Sequence, residues 1–127
     1  MKEVRVGKAL NELNEAQQIL NEVIAQVSMS REPHSLSTEI WRAFSKIEYS
    51  VLLLKLHLKD ENPGQLSKSP KLSESLRDEL VRAADLVSRA LLDIRQESYG
   101  EALLHARQAR DILREIQLVL RKARAAS

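Results

Sequence analysis

The sequence contains no cysteine, which excludes disulfide bonds, thiolate metal ligands and a cysteine nucleophile. Glycine and proline occur only three times each, too rarely for the many turns of a β-rich protein. No apolar run reaches the ~18 residues of a membrane span, and the first residues do not have the pattern of a signal peptide. We therefore expect a soluble helical protein that has no membrane partner and is located in the cytoplasm.

Hydrophobic residues make up 43% of the 127 residues and charged residues 30%, as in an ordinary globular domain. The net charge is +2. Residues 1–63 carry 8 basic and 9 acidic side chains, a net charge of −1, and residues 64–127 carry 12 and 9, a net charge of +3. A dedicated nucleic-acid-binding domain is usually more basic than this.

Apolar residues recur every three or four positions along most of the chain, which is the spacing of one helix face. This spacing predicts four helices, at about residues 3–28, 37–60, 70–96 and 98–124. Helices of comparable length favour antiparallel packing. We predict one all-α domain over residues 1–127, an up-down-up-down four-helix bundle of long antiparallel helices with no β-sheet. A long hairpin that completes its bundle by dimerising is the alternative.

The boundaries between the predicted helices have recognisable signals. A polar linker at about 61–69 contains the turn dipeptide Pro63-Gly64. Ser69-Pro70 is suited to be the N-cap and first residue of the third helix. Ser98 and Glu101 form a capping-box pattern, and Gly100 weakens a continuous helix there. These residues predict a break before the fourth helix.

The second predicted helix is apolar on most of its sides, so it is either central in the fold or covered by another subunit. Its aromatic cluster of Trp41, Phe44 and Tyr49 is better explained by core packing than by a ligand pocket. In the first helix, Gln17 interrupts the apolar stripe, where a polar residue can fix register or association state. The candidate interface between subunits consists of Trp41, Tyr49, Leu52, Leu53 and Leu56.

Arginines follow one flank of the fourth helix beside its apolar seam. Arginine binds phosphate with two parallel hydrogen bonds, so the strip could contact several phosphates of a nucleic acid. The structural interpretation, which we favour, is that the arginine stems cover the core edge and their guanidinium groups meet nearby acids. The strip consists of Arg107, Arg110, Arg114, Arg121 and Arg124.

Patterns that would indicate a reaction centre are missing from the sequence. His34, His57 and His105 each lack the glutamate three residues earlier that a dimetal site in a bundle needs. There is no P-loop, dinucleotide fingerprint or nucleophile elbow. We therefore predict no catalytic residues, no cofactor and no metal site.

Residues 86–110 resemble the helical hairpin of HEPN domains, in which a turn containing Tyr99 precedes a helix of the pattern EAL-x-HA-x-QA. The matching residues after the turn begin at Glu101 and end at Ala109. Tetratricopeptide hairpins share much of this pattern. The nuclease members of the HEPN family carry an arginine four to six residues before a histidine, and this sequence does not. The resemblance implies a non-catalytic helical bundle.

Together these features predict a non-enzymatic helical interaction or assembly module. We expect it to self-associate, with a dimer favoured, or to bind another helical protein. The alternative is a nucleic-acid-binding accessory protein that uses the arginine strip. A ligand-binding or enzymatic bundle built around Trp41 is a third and weaker alternative.

Overall fold

The computed structural model describes residues 2–29, 36–59 and 75–126, apart from the side chains of residues 2, 3, 124 and 126. The helices of this part of the chain are α1 (Lys2–Ser28), α2 (Ser37–Leu58), α3 (Leu76–Arg95) and α4 (Tyr99–Ala126). It contains no β-strand. The prediction of an all-α four-helix bundle is therefore confirmed. The predicted linker at 61–69 and the proposed cap at Ser69-Pro70 lie outside the described residues.

Helix α3 begins later than the sequence predicted. Ser75 has an extended backbone (φ −62°, ψ 156°), and its hydroxyl oxygen accepts a hydrogen bond from the backbone N–H of Asp78 at 3.2 Å. This is the geometry of an N-cap, so the helix starts at Leu76 and not at residue 70. The pattern Ser75-x-x-Asp78 is itself a capping signal, but the Ser69-Pro70 pair upstream drew the prediction away from it.

The predicted break before α4 is confirmed. Glu97 has a left-handed backbone (φ 60°). Its N–H donates to the carbonyl of Ile94 at 3.0 Å, and the N–H of Ser98 donates to the carbonyl of Asp93 at 2.7 Å. These two bonds form a Schellman motif, which ends a helix by satisfying its last carbonyls. The chain therefore reverses between α3 and α4 within three residues.

Helix α1 packs against α2 and α3, and α4 packs against the same two helices. Contacts between α1 and α3 show that these helices are antiparallel. Gln17 donates a side-chain hydrogen bond to Ser88 near the middle of the bundle. Arg77, at the start of α3, donates to the hydroxyl of Ser28, at the end of α1, at 2.9 Å.

Helices α2 and α4 are also antiparallel. Arg110 donates to Glu48 at 3.4 Å. Towards the end of α2, the ring of His57 packs edge-on against Tyr99, the first residue of α4, with 4.7 Å between ring centroids. Every neighbouring pair in the bundle is thus antiparallel.

These contacts give the helix directions as up, down, down, up in chain order, which differs at this one point from the expected up-down-up-down order. Helix α2 ends and α3 begins at opposite ends of the bundle. The 15 residues between Lys59 and Ser75 can reach up to ~50 Å, more than the ~33 Å of a 22-residue helix. The expectation assumed that both connections were short ones between adjacent ends.

The two hairpins, α1–α2 and α3–α4, pack as a pair related by approximate two-fold symmetry, because α1 contacts α3 and α2 contacts α4. Buried positions of α2 correspond to buried positions of α4 that lie 66 residues later. The corresponding pairs are Ile40 with Ala106, Ala43 with Ala109, Ile47 with Leu113 and Leu54 with Leu120.

Small residues bring α1 and α2 close together. Ala9, Ala16, Ala43 and Ser50 are fully buried, and in each helix the two small residues lie seven positions apart. The Ser50 hydroxyl lies 3.2 Å from the carbonyl oxygen of Ala9 and 3.0 Å from that of Lys46. The hairpin is therefore held by close backbone approach as well as by large apolar side chains.

Candidate functional site

The outer surface of α2 carries a row of exposed apolar side chains. Trp41 is 57% exposed, Tyr49 47%, Leu52 53% and Leu56 48%. At 100° per residue these four positions fall within about 80° of one another, and the row is about 22 Å long. We call this row the α2 face. Four of the five predicted interface residues therefore lie together on one accessible surface.

Leu53, the fifth predicted interface residue, does not belong to the α2 face. It is only 7% exposed and forms part of the hydrophobic core. The core-packing interpretation of the aromatic cluster holds only for Phe44, which is partly buried against the core. Trp41 and Tyr49 point outward. Sequence spacing could not separate these cases, because α2 is apolar on nearly every side.

The approximate symmetry of the bundle provides an internal comparison for the α2 face. The same shift of 66 residues that aligns the buried positions places Arg107, Glu115, Leu118 and Lys122 of α4 at the positions of the α2 face. Three of these four side chains are charged. The fold therefore does not require an apolar row at these positions, and the row on α2 is a property of that helix alone.

The C-terminal end of the α2 face is basic. The Arg5 guanidinium of α1 donates to the backbone carbonyl of Leu56 at 3.3 Å. Lys55 and Lys59 lie on α2 beside the same end of the row. Nearer its middle, Glu48 is held at one edge by Arg110 of α4.

The arginine strip is partly occupied by ion pairs within the bundle. Asp111 is 5% exposed. The Arg110 guanidinium lies 3.1 Å from its Oδ1, and that of Arg114 lies 3.3 Å from the same oxygen. Arg110 also contacts Glu48 on the neighbouring helix. This is the arrangement that the structural interpretation of the strip predicted.

The other three arginines differ in their surroundings. Arg107 is half-buried and Arg121 is exposed. The backbone of Arg124 lies in α4, but its side chain is outside the described residues. The structure therefore does not present the five guanidinium groups as one uniform surface.

Gln17 is used inside the bundle. Its side-chain amide donates to the hydroxyl of Ser88 on α3. A polar residue in this seam therefore bonds across the α1–α3 interface of the same chain, and the seam near Gln17 is not left open for another subunit.

Two buried or half-buried polar groups escaped prediction from the sequence. His105 Nδ1 lies 2.6 Å from Asp93 Oδ2, and both side chains are 16% exposed. Glu79 is 1% exposed, and its Oε2 lies 3.5 Å from Arg82. The pair of Asp93 and His105 follows from the tight turn between α3 and α4, whereas spacing along one helix had suggested Glu101 as the neighbour of His105.

Lys46 of α2 lies between two carboxylates of α1. Its Nζ is 2.6 Å from Glu15 Oε2 and 3.6 Å from Glu12 Oε2. The hydrogen bond to Glu15 is the main cause that raises the pKa of Lys46 above its usual 10.5, and the charges of both carboxylates add to it. This ion-pair cluster ties α1 to α2.

Among the described residues, no group of three or more histidine, aspartate or glutamate side chains is placed to hold a metal ion. Within the same part of the chain, no helix has the length and apolar character needed to cross a bilayer.

Comparison with known proteins found no match, whether to a family model, to a curated protein or to a solved structure. The resemblance of residues 86–110 to HEPN or tetratricopeptide hairpins therefore remains an expectation from those residues alone.

Proposed function

We propose that this protein is a non-enzymatic helical assembly module that self-associates through the α2 face. The observation that carries the proposal is the accessible apolar row of Trp41, Tyr49, Leu52 and Leu56. Tryptophan and tyrosine are the residue types most enriched at the energetic centres of protein interfaces. A monomer that exposed this row to water would lose the free energy gained by burying it.

The comparison between α2 and α4 supports a role for the row beyond the fold. At symmetry-related positions with the same packing environment, α4 has mostly charged side chains. A bundle helix that faces only solvent is expected to be polar on its outer side. Helix α4 follows this rule and α2 does not, which favours a partner on the α2 side.

The proposal predicts association that depends on protein concentration. The row is one helix wide and about 22 Å long, which is small beside the ~800 Å² that each partner buries in a standard interface. We therefore expect a weak dimer. Sedimentation velocity between about 1 and 100 µM should show the mass rising from 14.4 kDa towards twice that value. A mass that stays at 14.4 kDa at the highest concentration would reject self-association.

Nucleic-acid binding by the arginine strip is the alternative function. The ion pairs of Arg110 and Arg114 with Asp111 leave these guanidinium groups less available for phosphate. Binding to duplex DNA and RNA should be measured across a salt series that starts at about 50 mM. Affinity that falls steeply with salt, and is lost in an Arg107→Ala, Arg114→Ala, Arg121→Ala triple variant, would establish this function. Absence of binding would reject it.

A further inference from the structure

We infer that the partner on the α2 face is a second copy of this chain, and that the two α2 helices pack antiparallel about a two-fold axis near Glu48 and Tyr49. This inference rests on the proposed function and adds to it the orientation and register of the interface. An antiparallel pair of identical helices is an isologous interface, in which each surface contacts its own copy.

The first argument is the distribution of charge along the α2 face. Lys55, Lys59 and Arg5 gather at its C-terminal end. A parallel dimer would bring the two sets of cations together, with strong mutual repulsion. An antiparallel dimer places the two sets at opposite ends of the interface. It also avoids aligning the two helix dipoles side by side in the same direction.

The second argument is the order of large and small side chains. The apolar row extends from Trp41 to Leu56, so its midpoint lies between residues 48 and 49. Antiparallel packing about this midpoint places Leu52 of one copy opposite Ser45 of the other, and Trp41 opposite Leu56. Ser45, the small residue within the row, is partly buried and leaves room for the larger leucine. A parallel pairing would instead place serine opposite serine and leave a gap.

The third argument is the symmetry already present in the bundle. Within one chain, α2 packs antiparallel against α4, and corresponding positions of the two helices share the same core. Helix α2 thus already forms an antiparallel pair on one side. The second copy repeats this mode of packing on the opposite side.

The absence of cysteine in the natural sequence allows a clean test by cross-linking. Thr38 and Lys59 are exposed, one at each end of the α2 face, and about 31 Å apart along the helix. Two variants are prepared, Thr38→Cys and Lys59→Cys, and their helix content is checked against the natural protein by circular dichroism. Each variant is oxidised alone, and an equal mixture of the two is oxidised in parallel, all at about 100 µM.

The antiparallel dimer predicts efficient disulfide formation between the two variants in the mixture, and little formation in either variant alone. Cross-linking of each variant with itself would overturn the antiparallel orientation while leaving self-association intact. A dimer by sedimentation without cross-linking in any sample would overturn the use of the α2 face at this register. A monomer by sedimentation would instead reject the proposed function, which distinguishes the two failures.

Discussion

Leu52 and Leu53 are adjacent in α2, yet Leu52 is 53% exposed and Leu53 is 7% exposed. The helical turn of 100° per residue moves one leucine onto the outer surface and the next into the core. Replacing each with alanine should therefore affect different properties of the protein.

Leu53→Ala is expected to lower the free energy of unfolding by about 2–4 kcal/mol, because it removes buried methyl groups and leaves a cavity. Leu52→Ala should change the stability of the monomer by less than about 0.5 kcal/mol. Urea denaturation at low micromolar concentration, where the weak dimer has dissociated, measures both values. Equal losses for the two variants would contradict the assignment of Leu52 to the surface.

Arg110 is expected to stabilise the fold through Asp111 and Glu48. Arg110→Met should lower the free energy of unfolding by about 1–3 kcal/mol, since it weakens the hydrogen bonding of a nearly buried carboxylate. Arg121→Met on the same helix is the matched control, because Arg121 is exposed, and its effect should stay within about 0.5 kcal/mol. Denaturation curves in which Arg121→Met costs as much as Arg110→Met would remove the support for a structural role of the strip.

The Lys46 cluster should make stability fall at alkaline pH. Because its pKa is raised in the folded state, Lys46 contributes stability that is fully present below the unfolded pKa of 10.5 and is lost as pH rises through the higher folded pKa. Lys46→Met should cost about 0.5–1 kcal/mol at pH 7. This difference from the natural protein should shrink above pH 10.5.

Arg42→Met is the control for this pH effect, because Arg42 pairs with Glu39 at 3.0 Å and a guanidinium stays charged at any working pH. Its stability difference should not change over the same pH range. Thermal unfolding of the three proteins between pH 7 and about 11.5 makes the comparison. A Lys46→Met difference that stays constant up to the highest pH would show that the ion pairs with Glu12 and Glu15 contribute nothing measurable.

Glu97 occupies a backbone conformation that favours glycine. With φ at 60°, a residue with a Cβ atom is strained by roughly 1 kcal/mol. Glu97→Gly should therefore raise the free energy of unfolding by about 0.5–1 kcal/mol. The neighbouring change Gln96→Gly, at φ −91°, should lower it instead by a similar amount. Melting temperatures that shift in the same direction for both variants would argue against the Schellman geometry of this turn.

The four helices were predictable because each has an apolar stripe at helical spacing that continues for many turns. The break at Ser98 was predictable from a local capping signal. The directions of α3 and α4 relative to the first hairpin were not, because a connection of 15 residues can join either the near or the far end of the bundle. That choice depends on which faces of the two hairpins fit together.

The surface was less predictable than the fold. Periodicity identified α2 as apolar all round, but it could not say that Leu53 faces inward and Leu52 outward. The burial of Glu79 and the pairing of Asp93 with His105 also depend on neighbouring helices. For the arginine strip, the sequence predicted nearby acids, whereas the specific contact between Arg110 and Glu48 required the position of α2 beside α4.

The central claim is that the α2 face drives self-association, and sedimentation velocity at about 100 µM of Leu52→Glu and Leu118→Glu tests it most directly. Both substitutions place a charge on an exposed leucine, at corresponding positions of α2 and α4; Leu118 is 40% exposed. We predict that Leu118→Glu sediments as the natural protein does, near twice 14.4 kDa. Leu52→Glu should sediment as a monomer, its association weakened at least tenfold. Equal masses for the two variants would contradict the claim.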